Sequence, residues 1–256
     1  MEIKERKYSK KHIGSEFISN NEYTFKVIDG GTKKNYALCI LIDEPKFQPT
    51  ELNISSLKKG EVKNPYERII CNVGYIGQGR SANKNKKETV EYATWRAMIK
   101  RAYDRKTHER QPTYKDVTVC DEWHNYQVFA EWFDENYIDG YELDKDLLGN
   151  GDKIYSPNTC CFIPARVNSF ISNKLSTNTS GHIGAVLHKR DNIWESQIRV
   201  YNEEENKSER KYLGRFSTAE EASEAYKSAR MTESDKLRNW CRTNTILSDR
   251  VIEAIK

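Results

Sequence analysis

Nowhere in its 256 residues does this chain hold an apolar run approaching the ~20 residues that a helix needs to cross a bilayer. A membrane-spanning helix is not expected. The opening MEIKERKYSKKH places a basic region before no apolar segment, so no secretory signal is read there. A soluble protein of the cytoplasm is expected. The cysteines, Cys39, Cys71, Cys120, Cys160, Cys161 and Cys241, follow no framework spacing and include no CxxC pair. That pattern argues for reduced thiols rather than a disulfide-stapled scaffold. It also argues against zinc, because the adjacent Cys160 and Cys161 cannot easily aim two thiolates at one tetrahedral ion. Gly74-Tyr75-Ile76-Gly77-Gln78-Gly79-Arg80 lacks the GK[ST] ending of a phosphate loop and does not fill the dinucleotide pattern, so no nucleotide site is read there. A flexible joint continuing through residues 81–87 is expected instead. No internal repeat is present.

A net charge of +4 permits a nucleic-acid partner without demanding one. Its distribution says more. Lys84, Lys86, Lys87, Arg96, Lys100, Arg101, Arg105, Lys106 and Arg110 crowd one region, and Asp121, Glu122, Glu131, Asp134, Glu135 and Asp139 crowd the next. A basic face beside an acidic one suits a nuclease; solvated helix faces produce the same pattern.

Residues 13–80 read as strand-rich. Phe17-Ile18, residues 23–28 and residues 36–42 carry β-branched and aromatic side chains, separated by the turn chemistry of Asn20-Asn21 and Asp29-Gly30-Gly31. Pro45, Pro49 and Pro65 interrupt any helix, and a small β-barrel or a meander is expected. From Glu88 to Tyr103 the period becomes helical, with Val90, Trp95, Met98 and Ile99 on one stripe and Arg96, Lys100 and Arg101 elsewhere on the cylinder. Residues 117–120 read as a buried strand. A second amphipathic helix follows with Trp123, Phe129, Trp132 and Phe133, an aromatic set assigned to core in preference to base stacking.

Residues 141–170 read as a strand, a Gly/Asn/Asp turn, a second strand and a helix. Asp144 and Asp146 flank Lys145 on the first strand, and Asn168 lies on the helix. A carboxylate and an amide placed in this way can hold one divalent ion against a phosphate.

Thr179-Ser180-Gly181 marks a boundary, after which strands are expected at residues 184–188, 194–201 and 210–213. The last two are joined by a polar, glutamate-rich loop at 202–209. Ser217-Thr218-Ala219-Glu220-Glu221 opens a helix with a capping-box pattern, and Ala222, Ala225, Tyr226 and Ala229 give it a narrow apolar face. The tail from residue 232 reads as one or two more helices, docking through Leu237, Trp240, Ile246, Val251 and Ile252. Strand alternation places Trp194, Ser196, Ile198 and Val200 on one face and Glu195, Gln197 and Arg199 on the other. On the next strand Leu213 suits the helix side, and Arg210 and Tyr212 the open one. Such an open face can enter a major groove, where Arg reads guanine and Gln reads adenine. Lys189, Arg190 and Arg215 would then contact phosphates, and Arg96, Lys100 and Arg101 would add a salt-sensitive hold on the backbone.

Leu143-Asp144-Lys145-Asp146, then Ile154-Tyr155-Ser156-Pro157, Cys160-Cys161-Phe162-Ile163-Pro164 and Val167-Asn168, together resemble the HNH-type endonucleases encoded by bacteriophages. Thr94-Trp95, Arg101-Ala102-Tyr103 and Val119-Cys120-Asp121-Glu122-Trp123 extend the likeness upstream, as do Asn64-Pro65-Tyr66 and Gly74-Tyr75. The block at 184–229, with Trp194, Tyr212-Leu213-Gly214 and Phe216, resembles the ethylene-response-factor type of DNA-binding domain often joined to such nucleases.

The resemblance implies a ββα-metal fold in the cytoplasm of an infected bacterium. In that family a strand ends in a carboxylate that binds Mg²⁺ or a similar ion and a histidine that activates water. A loop asparagine steadies the site, and a histidine or asparagine on the helix supplies the second ligand. Asp144 matches the carboxylate and Asn168 the helix ligand, an oxygen set suited to Mg²⁺ or Mn²⁺. Two positions depart from the pattern. Lys145 stands where the base belongs, and Thr159 where the loop asparagine belongs, with Asn158 one residue away. A lysine flanked by two carboxylates is favoured as the ammonium, which suits charge stabilisation better than proton removal. His124, His182 and His188 do not sit at motif spacing, and a metal-bound water can ionise with little help.

The expected fold class is α+β, with an N-terminal β module at 1–80, an HNH-like domain with flanking helices at 81–178, and a three-stranded antiparallel sheet packed on a helix, plus helical tail, at 179–256. Three functions follow. One is a divalent-metal endonuclease or nickase acting on double-stranded DNA. Another is a DNA-binding regulator or blocker on a nuclease frame that has lost its base. The third is an adaptor that docks a protein partner through the N-terminal module. No membrane partner is expected.

Overall fold

The computed structural model describes residues 5–172, 181–203 and 207–256. Thr179 and Ser180 of the expected boundary and residues 204–206 of the expected loop lie outside them. The chain divides into two compact units, Met1–Glu135 and Asn136–Lys256. The fold mixes helices with antiparallel sheets and contains no closed barrel. Among the described residues no helix is long and apolar enough to cross a membrane.

The first unit begins with β1 (Glu16–Ile18), β2 (Thr24–Gly30), β3 (Tyr36–Leu41) and β4 (Thr50–Asn53), a meander in the order β1-β2-β3-β4. Of the two forms expected, the open one is found. Phe25, Val27, Cys39 and Leu41 bury one face of it against Phe47, Ile54 and Leu57. β4 was not expected, because Thr50-Glu51-Leu52-Asn53 is mostly polar; as an edge strand it has only one neighbour to satisfy. Asn53 ends that strand and starts α1 (Ile54–Lys58), its side chain accepting the Ser55 and Ser56 N–H groups at 2.8 and 3.3 Å.

Residues 74–80 are fastened, not a free joint. Gln127 Nε2 donates to the carbonyls of Ile76 and Arg80 at 2.9 and 3.0 Å, and its Oε1 accepts the Arg80 N–H at 2.7 Å. Gly77 has φ +73°, and a Cβ there would lie 2.4 Å from Asn125 Oδ1. The glycines thus permit close approach. A small hairpin, β5 (Asn83–Lys84) and β6 (Lys87–Glu88), turns through Asn85 and Lys86, both at positive φ.

Thr89 caps α2 (Val90–Tyr103), which is followed by α3 (Arg105–Arg110), β7 (Thr118–Val119) and α4 (Tyr126–Asn136). Trp95, Met98 and Ile99 of α2 are fully buried with Trp123, Tyr126 and Phe129. The Trp123 and Phe129 rings meet edge to face at 5.1 Å, and Trp95 Nε1 donates to the Trp123 carbonyl at 2.7 Å. These aromatics are core, as expected. Val90, in the first turn, is exposed instead of joining the stripe.

The second unit contains β8 (Glu142–Asp144), β9 (Ile154–Tyr155), β10 (Cys161–Ile163) and α5 (Ala165–Ser172). β8 and β10 pair antiparallel, setting Asp144 opposite Cys161 and Glu142 opposite Ile163. Next come β11 (Ala185–His188), β12 (Ile193–Asn202) and β13 (Lys207–Phe216), an antiparallel sheet in that order. Pairing runs out to Asn202 opposite Lys207, so Ser208 and Glu209 belong to the strand and not to the expected loop.

The sheet is covered by α6 (Ala219–Asn244), and α7 (Asp249–Glu253) follows. The expected capping box joins Thr218 and Glu221. No Gly or Pro interrupts residues 219–244, so the sheet-covering helix and the start of the tail form one rod, about 39 Å long at 1.5 Å per residue. Its first turns pack Ala219 and Ala222 on Ala185, Trp194 and Phe216. Its last turns pack Leu237 and Cys241 on Ile163, Val167 and Ile171, closed by Val251, Ile252 and Ile255. Trp240 is partly buried there, whereas Ile246 is exposed.

Gly184, at φ +80°, lets α6 approach the sheet: a Cβ would fall 2.1 Å from the Tyr226 ring. Gly184→Ala is expected to destabilise the protein by about 2 kcal/mol or more, through overpacking and a left-handed backbone that alanine resists. Urea unfolding reads this directly, and an unchanged midpoint would contradict the packing described.

Candidate metal centre and nucleic-acid interface

Asp144 ends β8 and is buried. Its Oδ1 accepts the N–H groups of Asp146 and Leu147 at 3.0 and 2.8 Å, which closes a tight turn. Burial pushes this carboxyl above the usual carboxylate range, and the charge of Asp146 adds to the effect. Lys145 is also buried, with Nζ 2.5 Å from Asp146 Oδ1 and 5.8 Å from the centre of the Tyr155 ring. A buried ammonium needs such a partner.

Thr159 ties the turn before β10. Its hydroxyl donates to the Ile154 carbonyl at 2.7 Å and accepts the Ser156 N–H at 3.1 Å. Arg250 Nη2 donates to the neighbouring Asn158 carbonyl at 2.9 Å. Asn168 lies on α5, partly buried, and its Nδ2 donates to Glu142 Oε2 at 2.5 Å. Among the described residues no hydrogen bond joins Asn168 to Asp144. The structure instead brings Asn168 to Glu142, two residues earlier on the same strand.

Glu142 and Asp144 share one face of β8 by alternation, about 7 Å apart along it. Glu142 was missed in the sequence, although period-two alternation alone places it beside Asp144. Glu142, Asp144 and Asn168 supply oxygen donors of the kind a hard cation takes, with waters or phosphate oxygens for the remaining positions. Among the described residues no three His, Cys, Asp or Glu side chains gather in a way that could hold a metal ion. Across the ribbon from Asp144, burial pushes the Cys161 thiol up to about 12, a protonated packing cysteine. His182 pairs with Glu220 at 3.2 Å and His188 with Asp191 at 3.3 Å, while His124 lies by Tyr103 and Asp121.

On the three-stranded sheet the expected alternation holds at the centre. Ser196 and Ile198 are buried under α6, and Gln197 and Arg199 are exposed on the opposite face. Trp194 packs in the sheet–helix core. Cross-strand partners share a face, so Gln197 stands with Tyr212, Arg199 with Arg210, and Glu195 with Arg215. A bulge beside Leu213 reverses the alternation there and keeps both Tyr212 and Arg215 on the open side. Arg215 is bonded to Glu195 at 3.0 Å, and Arg190 lies 4.0 Å from Asp191 in the turn where Lys189 is also exposed. Neither Arg199 nor Arg210 makes an ion pair among the described residues. In the first unit Arg96 is paired with Glu88 at 2.7 Å, while Lys100 is exposed and Arg101 partly so near the end of α2.

The raised Asp144 carboxyl has a pH consequence. Its folded state holds a proton more strongly than the unfolded chain, so stability is lost as pH rises from the unfolded value near 4 through the folded one. Asn at this position keeps an acceptor for the two N–H groups but carries no charge. The gain in stability from Asp144→Asn is therefore expected to be larger at pH 7 than at pH 4, measured by urea unfolding without divalent metal. A gain that does not change with pH would contradict it. Compared with models of known protein families, with curated proteins and with solved structures, the chain matches none of them.

Proposed function

We propose that this protein binds double-stranded DNA through the open face of β11–β13 and nicks or cleaves a phosphodiester at the β8–β10–α5 ribbon with a divalent metal. The observation that carries the reading is the cross-strand array of Gln197 with Tyr212 and Arg199 with Arg210. It is an exposed surface of amide, phenol and guanidinium groups in which the two central arginines make no ion pair among the described residues. Gln197 on a sheet ribbon has the donor and acceptor geometry to read a major-groove edge, and the two arginines carry the charge that a backbone phosphate takes. Arg190, Arg215, Lys189, Arg96, Lys100 and Arg101 are assigned to phosphates. The exposed ion pairs of three of them cost little to exchange for a phosphate oxygen.

At the ribbon, Asp144, Glu142 and Asn168 would hold Mg²⁺ or Mn²⁺, which when bound supplies charge stabilisation at the phosphate and a more acidic water. Thr159 fixes the turn leading into β10, and Lys145 lies 2.5 Å from Asp146 beside it. The second reading, a DNA-binding regulator or blocker that has lost cleavage, is favoured by one observation: the Lys145 ammonium is buried and already engaged by Asp146. The role of the N-terminal meander as a protein-docking module remains a third proposal.

Two measurements test these readings. With supercoiled plasmid and Mg²⁺ or Mn²⁺, the endonuclease reading predicts nicking that Asp144→Ala abolishes and Glu142→Ala impairs. Tight binding with no nicking by any of these proteins assigns the chain to the regulator reading. Arg199→Ala is expected to weaken binding to the preferred duplex by about 1–3 kcal/mol. Unchanged affinity for every duplex tested would remove the sheet face from the interface.

A further inference from the structure

Beside the edge of β12 lies a cavity of about 240 Å³, lined by Gln197, Arg199, Arg210 and Gly184 with Tyr226 and Arg230 of α6. Water's share of liquid volume is about 30 Å³, so the space accepts a group the size of several waters. Three arginines are among its lining residues, and among the described residues no Asp or Glu lines it. Arg199 and Arg210 are direct cross-strand partners, an arrangement that like charges disfavour. Arg230 is held from the other side. Its guanidinium stacks 3.5 Å from the centre of the Phe170 ring, and one N–H donates to the Lys256 main-chain oxygen at 3.3 Å. Burial shifts Arg230 below the usual arginine range. Three permanent cations around one space without an acid cost repulsion and desolvation, which an anion in that space offsets.

We infer that this cavity is a seat for one phosphoryl group, bound by Arg199 and Arg210 from the sheet and Arg230 from α6. On the DNA reading above, on which this identification of the carrier rests, the group is a backbone phosphodiester. The pocket then fixes the register of the sheet on the duplex, and Gln197 and Tyr212 face the bases. Arg230 is thereby assigned to binding, although its place on a helix behind the sheet gives no sign of this in sequence.

The test uses the full-length protein and two ligands. For duplex DNA at about 0.1 M salt, Arg230→Ala is expected to lower affinity roughly tenfold and by the same factor on every sequence. It should also reduce the slope of log affinity against log salt by about one, and Arg230→Lys should recover part of the loss. Unchanged affinity and slope, or a loss confined to one sequence, would overturn the assignment. If wild-type protein binds no duplex, the DNA reading fails and inorganic phosphate decides. Concerted shifts of the Arg199, Arg210 and Arg230 side-chain NMR signals, set against chloride at equal ionic strength, would support a seat for a free phosphorylated ligand. Absence of such shifts would overturn the seat itself. Should Arg230→Ala fail to fold, Arg210→Ala, at an exposed position, carries the same duplex measurement.

Discussion

The second unit depends on two apolar clusters buried at the two ends of α6. A three-stranded sheet exposes half its surface, and a two-stranded ribbon followed by one short helix has too little core to stand alone. The long helix serves both. Its small residues, Ala219 and Ala222, allow a close approach to the sheet, and Leu237 and Cys241 fill the space beside α5 and α7. Because one rod carries both contacts, the arginine-bearing sheet and the acidic ribbon occupy fixed places in the same unit.

Electrostatics then divides the labour between these two places. At the ribbon, burial and backbone donors hold Asp144 close to its turn, and Lys145 is locked onto Asp146. At the sheet, Arg199 and Arg210 are cross-strand partners that make no ion pair among the described residues. The first arrangement suits a cation shared with a phosphate, and the second suits an anion alone. A phosphodiester chain running past both would meet each requirement, which is the physical basis of the functional proposal.

Much of this could be read from residue patterns. The sides taken by Ser196, Gln197, Ile198 and Arg199 followed from alternation, the start of α6 from its capping box, and the fully buried Trp95 from helical spacing; Trp123 is core as expected but lies in a 3-10 turn before α4 instead of on it. What escaped depended on contacts between distant residues. Glycines at 77 and 79 resemble a hinge until Asn125 and Gln127 are seen against them. Glu142 carried no mark in the sequence; it stands out only because α5 places Asn168 on it. The bulge at Leu213 adds a residue without any local mark, and Arg230 acquires meaning only from two arginines on other elements. Long-range packing and local pattern thus disagree where a side chain's partner comes from another part of the chain.

Hydrogen exchange on the full-length protein, with and without a short duplex and Mg²⁺, addresses the central claim most directly. The account predicts slowed exchange in β12, β13 and the segment around residues 142–147 when duplex is added. Protection confined to α2, or no change anywhere under conditions where duplex is bound, would contradict it.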